Sequence, residues 1–461
     1  MCQSLMSSNS NYNAYLHRKA GAAQVDVTPD TPQFLFGYPH CERTSTSVHD
    51  PLLASAIYLS DGQSGTLFVA VDVIFLTKEQ VAEARGEISQ QTGMPAEHIM
   101  ITATHTHSGP ITMSMLSNSE DRVVPKPDPT YLRKLINGIV DAGTQAFKYA
   151  QPAEVGLVVS EVHGLGTNRH NPAGPSIPEL PVLVARSTQD QSLIGLMCIC
   201  SMHPTVLHED STCISGDFPS LARQYLQSQE GLNDLVVVYH MGAAGNQSPR
   251  HVTRSNTLEE ATRLGTILGK AFKSALENVE YVSDWNLACK VEYADLRLRE
   301  FPSIPEATVA LEEASAFLEH LRTSNAEKTE IRTAECSWFG AQETLTLARS
   351  HLDGRLEDAV RTCLPAEIQI VTIDSWSFVG WPGEVFVEYA LELRQRYPEA
   401  HLITLANGEL QGYLVTPEAV ESKCYEASNA VFASPDSPRR LLDITTEMLH
   451  TLSTANAGPD A

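Results

Sequence analysis

The feature that most restricts the fold is a strand–helix–strand pattern running from Thr66 to Ala103. Thr66-Leu-Phe-Val-Ala-Val-Asp-Val-Ile-Phe-Leu76 is a continuous, mainly apolar run, the pattern of a strand covered on both faces. Thr77 with Gln80 three residues later has the form of a capping box. Val81, Ala84 and Ile88 then share one helical face, and Gly93-Met-Pro95 closes the helix. A second strand follows from Ile99, so the unit reads as βαβ with a parallel pair. Its carboxyl end carries Thr104-His-Thr-His-Ser-Gly-Pro110, and ligands in open α/β sheets bind along that edge. His105 and His107, spaced to fall on one face of a strand, are therefore candidates for metal binding or acid–base work. The competing reading has one imidazole capping the strand and the other facing water.

The same edge recurs along the chain. A strand from Leu193 to Ser201 delivers Met202-His203-Pro204-Thr205, and one from Leu235 to His240 delivers Gly242-Ala-Ala-Gly-Asn-Gln-Ser-Pro249. A hairpin over 367–373 and 376–380 delivers Trp381-Pro-Gly-Glu384 at the start of a helix. A strand from His401 to Ala406 leads to Gln411-Gly-Tyr413. Imidazole, imidazole and carboxylate at strand ends form a divalent-metal inventory. Each has a plainer alternative: His203 as a satisfied core histidine, Glu384 as a charge favoured at a helix start, Tyr413 as packing. The Gly242 loop lacks the Lys-Ser/Thr of a phosphate loop.

Elsewhere the ordered chain is expected to begin near Ala20, after a disordered leader at 1–19, and to end at 452, before a disordered tail at 453–461. Gln24 to Thr28 and Leu52 to Leu59 read as strands, and His49-Asp50 before Pro51 reads as a turn pair. Residues 303–363 are rich in Glu, Ala and Leu, with helical patterns over 305–321 and 334–352. They predict a charged helical hairpin inserted into one domain, its charge run an exposed face. The expected fold class is α/β: a large mixed or mostly parallel sheet with flanking helices and this insertion.

The net charge of −24 argues against nucleic acid or an anionic membrane surface as the main partner. No stretch of eighteen apolar residues spans a bilayer, so no stable membrane insertion is expected. The nine cysteines are odd in number and irregularly spaced, and Cys198 and Cys200 sit in an apolar run as core packing. With no secretory signal at the N-terminus, a reducing, cytoplasmic setting is expected. A homo-oligomer is left open.

Taken together, Thr104-His-Thr-His-Ser-Gly-Pro110, Asn168-Arg169, His203-Pro-Thr205, Gly245-Asn-Gln-Ser-Pro249, Pro382-Gly-Glu384, and Tyr413 followed by Tyr425-Glu-Ala-Ser428 resemble the neutral/alkaline non-lysosomal ceramidase family. Val25-Asp-Val-Thr-Pro29 and Gly37-Tyr38 are similar to that family's opening, and the motifs run in order from about Gly21 to Ser428. The resemblance implies zinc held by His105, His203, Glu384 and Tyr413, with His107, Ser248, Arg169 and Tyr425 facing the substrate. It also implies hydrolysis of an N-acyl amide, a small-molecule substrate, by a metal-bound hydroxide. His107 would protonate the leaving nitrogen, and Arg169 and Tyr425 would stabilise oxyanion charge or hold the carboxylate product. Ser248 lies outside a Gly-x-Ser-x-Gly elbow and is expected to orient water or substrate. Three departures stand out. The chain ends soon after these motifs, where the family continues into an immunoglobulin-like domain. Arg169 is followed by His170-Asn-Pro-Ala-Gly, and His208-Glu209 follows His-Pro-Thr. They leave ceramide and a smaller or more polar acyl amide both open. An esterase or lactonase using the same centre, and a non-catalytic metal-stabilised binding protein, are the alternatives.

Overall fold

The computed structural model describes residues 18–324, 326–434 and 436–456. Eight strands make the larger sheet: β1 Lys19–Asp26, β2 Leu53–Ser60, β3 Gly65–Val71, β4 Ile99–Ala103, β5 Gln151–Glu161, β6 Glu179–Ser187, β7 Leu193–Cys200 and β8 Val236–Met241. Their order is β8-β7-β6-β5-β1-β2-β3-β4. Only the pairs β3–β4 and β7–β8 are parallel, and the rest are antiparallel. The sheet is thus mixed, and its two parallel pairs are the ones whose strand ends lead to His105 and His203. A four-stranded sheet, β9 Leu287–Ala294, β10 Ala366–Ile373, β11 Trp376–Gly380 and β12 Ala400–Ile403, lies against it.

Strand alternation explains why both faces are apolar. Phe68, Met100, Met197 and Val238 point toward the smaller sheet and pack with Val371, Phe378 and Ile403. The Phe68 and Phe378 rings meet edge to face at 5.6 Å. Their strand neighbours point the other way. Leu67, Val69, Ile99 and Ile101 lie under α1 Lys78–Thr92 and α2 Pro129–Lys148. Leu196, Cys198 and Val237 lie under α3 Asp217–Gln227 and α4 Leu258–Asn278. The insertion forms α5 Ile304–Thr323, α6 Lys328–Asp353 and α7 Arg355–Cys363. Beyond it come α8 Val387–Arg396, α9 Pro417–Glu421, α10 Tyr425–Asn429 and α11 Asp436–Asn456. Residues of α8 and α11 share a core with the outer face of the smaller sheet. The result is four layers, helix–sheet–sheet–helix.

The ends of the larger sheet's strand order are brought together. Thr102 of β4 and His240 of β8 are bonded through Oγ1 and Nδ1 at 2.7 Å. The chain leaving β12 is threaded along both strands. The Thr404 N–H donates to the Met241 carbonyl at 2.8 Å, and the Asn407 N–H donates to the Ile101 carbonyl at 2.8 Å. The Asn407 side-chain oxygen accepts the Ile101 N–H in return, at 3.0 Å.

Several boundaries differ from expectation. The run expected to continue as a strand to Leu76 stops at Val71, because buried Asp72 accepts the Leu53 N–H at 2.9 Å and an Arg223 N–H at 3.0 Å. The chain turns there. The insertion holds a third helix, α7, because Gly354 takes the left-handed conformation (φ 85) and restarts the chain after α6. Lys19 already lies in β1, and α11 runs on to Asn456, past the tail boundary expected at 453. The rest of the expected leader and tail, 1–17 and 457–461, lies outside the described residues. His49-Asp50 is more than a turn pair. Buried Asp50 accepts the Ser215 hydroxyl at 2.6 Å and the Gly216 N–H at 2.8 Å, anchoring the loop before α3.

Candidate metal centre

β4 ends at Ala103, and the next turn is not a continuation of the strand. His105 sits at φ 69, a backbone region costly for any residue with a Cβ. The turn, and not strand alternation, brings His105 beside His107: their Nε2 atoms are 3.3 Å apart. His203, from the end of β7, packs its ring against that of His105 with centroids 4.8 Å apart. Glu384 follows the left-handed Gly383 (φ 77) and pairs in a parallel bridge with Tyr413. This bridge, not the start of α8, is what positions Glu384. One carboxylate oxygen, Oε2, lies 3.1 Å from His105 Nε2 and 3.0 Å from His203 Nε2. His105, His107 and His203 form a group whose ligand atoms all lie within 4.8 Å of one another.

The other nitrogen of each ring fixes the chemistry of this cluster. His105 Nδ1 is 2.9 Å from the Ile74 carbonyl, which the turn after Asp72 presents. His203 Nδ1 lies 2.6 Å from the Ala244 carbonyl and 3.0 Å from that of Gln247. His107 Nδ1 lies 3.1 Å from the Gly37 carbonyl. A carbonyl only accepts, so every Nδ1 carries the proton and donates it. Every Nε2 then faces inward, as a lone pair where the ring is neutral and as a donor to Glu384 where it is protonated. Burial, with the neighbouring imidazoles, lowers the pKa of His107 well below its ordinary value. Burial, with the Arg169 charge, lowers that of His203 to about 4. Glu384 behaves oppositely: burial pushes its pKa up, but His105 and His203 outweigh that and hold it well below the usual carboxylate range. The carboxylate thus demands positive charge beside it, while His107 and His203 resist carrying it. A divalent cation meets both demands, and nitrogen and oxygen donors with carbonyl-braced rings fit zinc.

Around this cluster the structure places most of the remaining candidates. Tyr413 is buried, and its phenol pKa is raised well above normal by burial and then by Glu384. The Arg169 guanidinium lies 5.5 Å from the Tyr413 ring centroid. Its Nε donates to Glu426 at 2.6 Å, and Glu426 also bonds His170 at 2.8 Å. Buried Arg169 Nη2 has no hydrogen-bond partner. The Tyr425 ring stands 6.5 Å from that of Tyr413. Ser248 is placed differently from the others. Gln247–Ser248 pairs with Thr167–Asn168, and the Ser248 hydroxyl accepts the Arg250 N–H at 3.4 Å, capping a short turn. It adjoins the Gln247 carbonyl that braces His203.

Sequence reasoning missed the braces. The Ile74, Ala244, Gln247 and Gly37 carbonyls carry no side-chain signal. It also missed Tyr38, whose ring lies 5.2 Å from that of His107 and whose hydroxyl donates to the Leu207 carbonyl at 3.0 Å. Asp217 is a further omission. Its carboxylate accepts the Val206 and Leu207 N–H groups at 3.0 and 2.9 Å, holding the loop that carries His203. The His170 contact to Glu426 gives the departure at His170 a place at the rim of the site.

The neutral ceramidase of Mycobacterium tuberculosis is 23% identical over 260 residues, half of this chain and 40% of that protein. Neutral ceramidase B of Dictyostelium discoideum is 22% identical over 269 residues, 52% of this chain and 36% of that protein. The matched stretch is therefore well under two thirds of either relative. The crystal structure of neutral ceramidase from Pseudomonas aeruginosa superposes with a TM-score of 0.71 at 19% identity, covering 94% of this chain and 74% of that one. A structure described as ceramidase complexed with C2 gives 0.73 at 17% identity, covering 95% and 76%. The fold is shared with both. The family model for neutral/alkaline non-lysosomal ceramidase, N-terminal, matches residues 19–259, which is more than half of the chain. This chain belongs to the neutral/alkaline non-lysosomal ceramidase family.

Proposed function

We propose that this protein is a zinc-dependent hydrolase that cleaves the amide bond of an N-acyl lipid-like substrate. The observation that carries the reading is the convergence of two inward-facing Nε2 atoms on one carboxylate oxygen, 3.0 and 3.1 Å from His203 and His105. Family membership supports the amide-hydrolase reading. His105, His203, Glu384 and Tyr413 would hold the metal. Zinc bound there supplies Lewis acidity and lowers the pKa of a water toward neutrality.

The chain's own groups do the rest. His107 is neutral, with Nδ1 committed to Gly37 and Nε2 turned into the cluster, 3.3 Å from His105 Nε2. That atom accepts the proton of the attacking water as the new C–O bond forms. It returns the proton to the nitrogen as the C–N bond breaks, releasing acid and amine. The unpartnered Nη2 of Arg169 and the Tyr425 phenol receive the carbonyl oxygen as it gains charge. Ser248 orients water or substrate from the strand that braces His203. The described residues contain no helix long and apolar enough to cross a membrane, so the substrate would be met from water or at a membrane surface. We place the protein in the cytoplasm, a reading that free thiols at the described cysteines support and fractionation of cells would check.

Elemental analysis of purified protein is the test, coupled to hydrolysis of N-acyl amides and matched esters. Wild type is expected to carry about one zinc per chain and to cleave the amide. His105→Ala and Glu384→Ala should lose both. Full zinc occupancy in either variant would overturn the ligand assignment. His107→Gln should keep the metal and lose about 10²–10⁴-fold in rate.

A further inference from the structure

The departure at His170 leads to a second cluster of ligand-bearing side chains. His170 Nε2 lies 2.8 Å from Glu426 Oε2, and His170, Cys424 and Glu426 offer ligand atoms that all lie within 4.8 Å of one another. Two parts of the chain present them. His170 stands in the loop after Thr167–Asn168, where its N–H donates to Asn168 Oδ1 at 3.1 Å and its ring centroid lies 5.8 Å from that of buried Phe386. Cys424 is the N-cap residue of α10 and Glu426 lies in the first turn. The Ser428 N–H donates to the Cys424 carbonyl at 3.1 Å, so the backbone that carries the thiol is itself held.

The surroundings suit a cation better than an ion pair alone. Glu426 is buried, and burial pushes its pKa up, but Arg169 and His170 outweigh that and hold it well below the usual carboxylate range. Its Oε1 is spent on the Arg169 Nε at 2.6 Å. Its Oε2 accepts a proton from the imidazole. Beside it the Cys424 thiol, pushed up to about 12 by burial and then by the Glu426 charge, keeps a second proton. One divalent cation can take the place of both. The thiol then gives its proton to water, Nε2 gives up its own, and Arg169 keeps its bond to Oε1. The donor set is one nitrogen, one sulfur and one oxygen, which selects zinc over calcium and magnesium with their all-oxygen preference. The Glu426 side chain is 4% exposed and that of His170 is 35% exposed, so a fourth position opens toward water.

We propose that His170, Cys424 and Glu426 form a second zinc site, at the rim of the candidate centre and separate from it. The site goes beyond the hydrolase reading and does not depend on it. It fills only when zinc is supplied, because Cys424 must lose a proton and Glu426 already serves Arg169.

Sulfur distinguishes the two sites, since His105, His203, Glu384 and Tyr413 offer none. Full-length protein stripped with a chelator and titrated with cobalt(II) should gain a thiolate-to-cobalt charge-transfer band. Cys424→Ser should abolish the band, and His170→Ala should weaken the binding that produces it by at least tenfold. In equilibrium dialysis against zinc, wild type should hold one zinc per chain more than either variant, and each variant carries the comparison if the other does not fold. Zinc should also protect wild-type Cys424 from alkylation, read by peptide mass mapping, which needs no variant. The absence of the sulfur band in wild type, its persistence in Cys424→Ser, equal zinc in wild type and the folded variants, or an unprotected Cys424 overturns the proposal. If the candidate centre itself holds no zinc, all totals fall by one, and the difference between wild type and variants still decides the rim site.

Discussion

His240 shows how a single imidazole in this protein can be structural while its neighbours are chemical. It is fully buried between the sheets, bonded to Thr102, with the Phe68 ring 6.0 Å away. Burial drops its pKa to about 3. The folded value is depressed below the free one, so the unfolded chain binds the proton more readily. His240 therefore adds stability that is fully present above about pH 6.5 and is lost as pH falls toward 3. The effect amounts to at most a few kcal/mol. Urea denaturation at pH 7 and pH 5 should show a smaller drop in stability for His240→Leu than for wild type. Residue-level legibility divides along the same line. His105, His203 and Glu384 were readable because polar letters interrupt apolar runs at strand ends. Their braces were not, since main-chain carbonyls look alike in any sequence. The left-handed backbone at His105 was equally hidden: strand alternation anticipated the pairing with His107, but the structure achieves it by a turn.

At the scale of elements, the strands and the capped helix α1 follow from period-two and period-3.6 patterns. The Thr77–Gln80 capping box and the left-handed Gly93 stand where the sequence placed them. Helix α6 was legible as a helix but not as the neighbour of α10, which carries Tyr425. Its Glu residues look alike in a sequence rich in them, and only packing turns Glu343 inward while Glu335 pairs with arginines at the surface. Gly340 tests the contact directly. A methyl there meets Ser428, so Gly340→Val should push α6 away from α10 at a cost of about 1–3 kcal/mol. The expected result is a raised KM with zinc content unchanged. Loss of zinc together with activity would mean that the helix supports the metal ligands themselves.

For the whole molecule, the two sheets depend on one shared core. Phe378 of the smaller sheet is buried against Phe68 of the larger, and Phe378→Ala should cost about 3–5 kcal/mol. Because His105 and His203 come from one sheet and Glu384 follows the other, zinc release and loss of circular dichroism should coincide in a denaturant titration. Separate transitions would show the sheets to be independent. The mixed order of strands was beyond the sequence, which signals strand existence more clearly than strand partners. The passage of Thr404–Asn407 between β4 and β8 has one more implication. Those two strands would otherwise offer raw hydrogen-bonding margins to any passing chain. A fragment stopping at 259, although it includes both histidine motifs, would leave them bare, and it should self-associate into insoluble material when expressed alone.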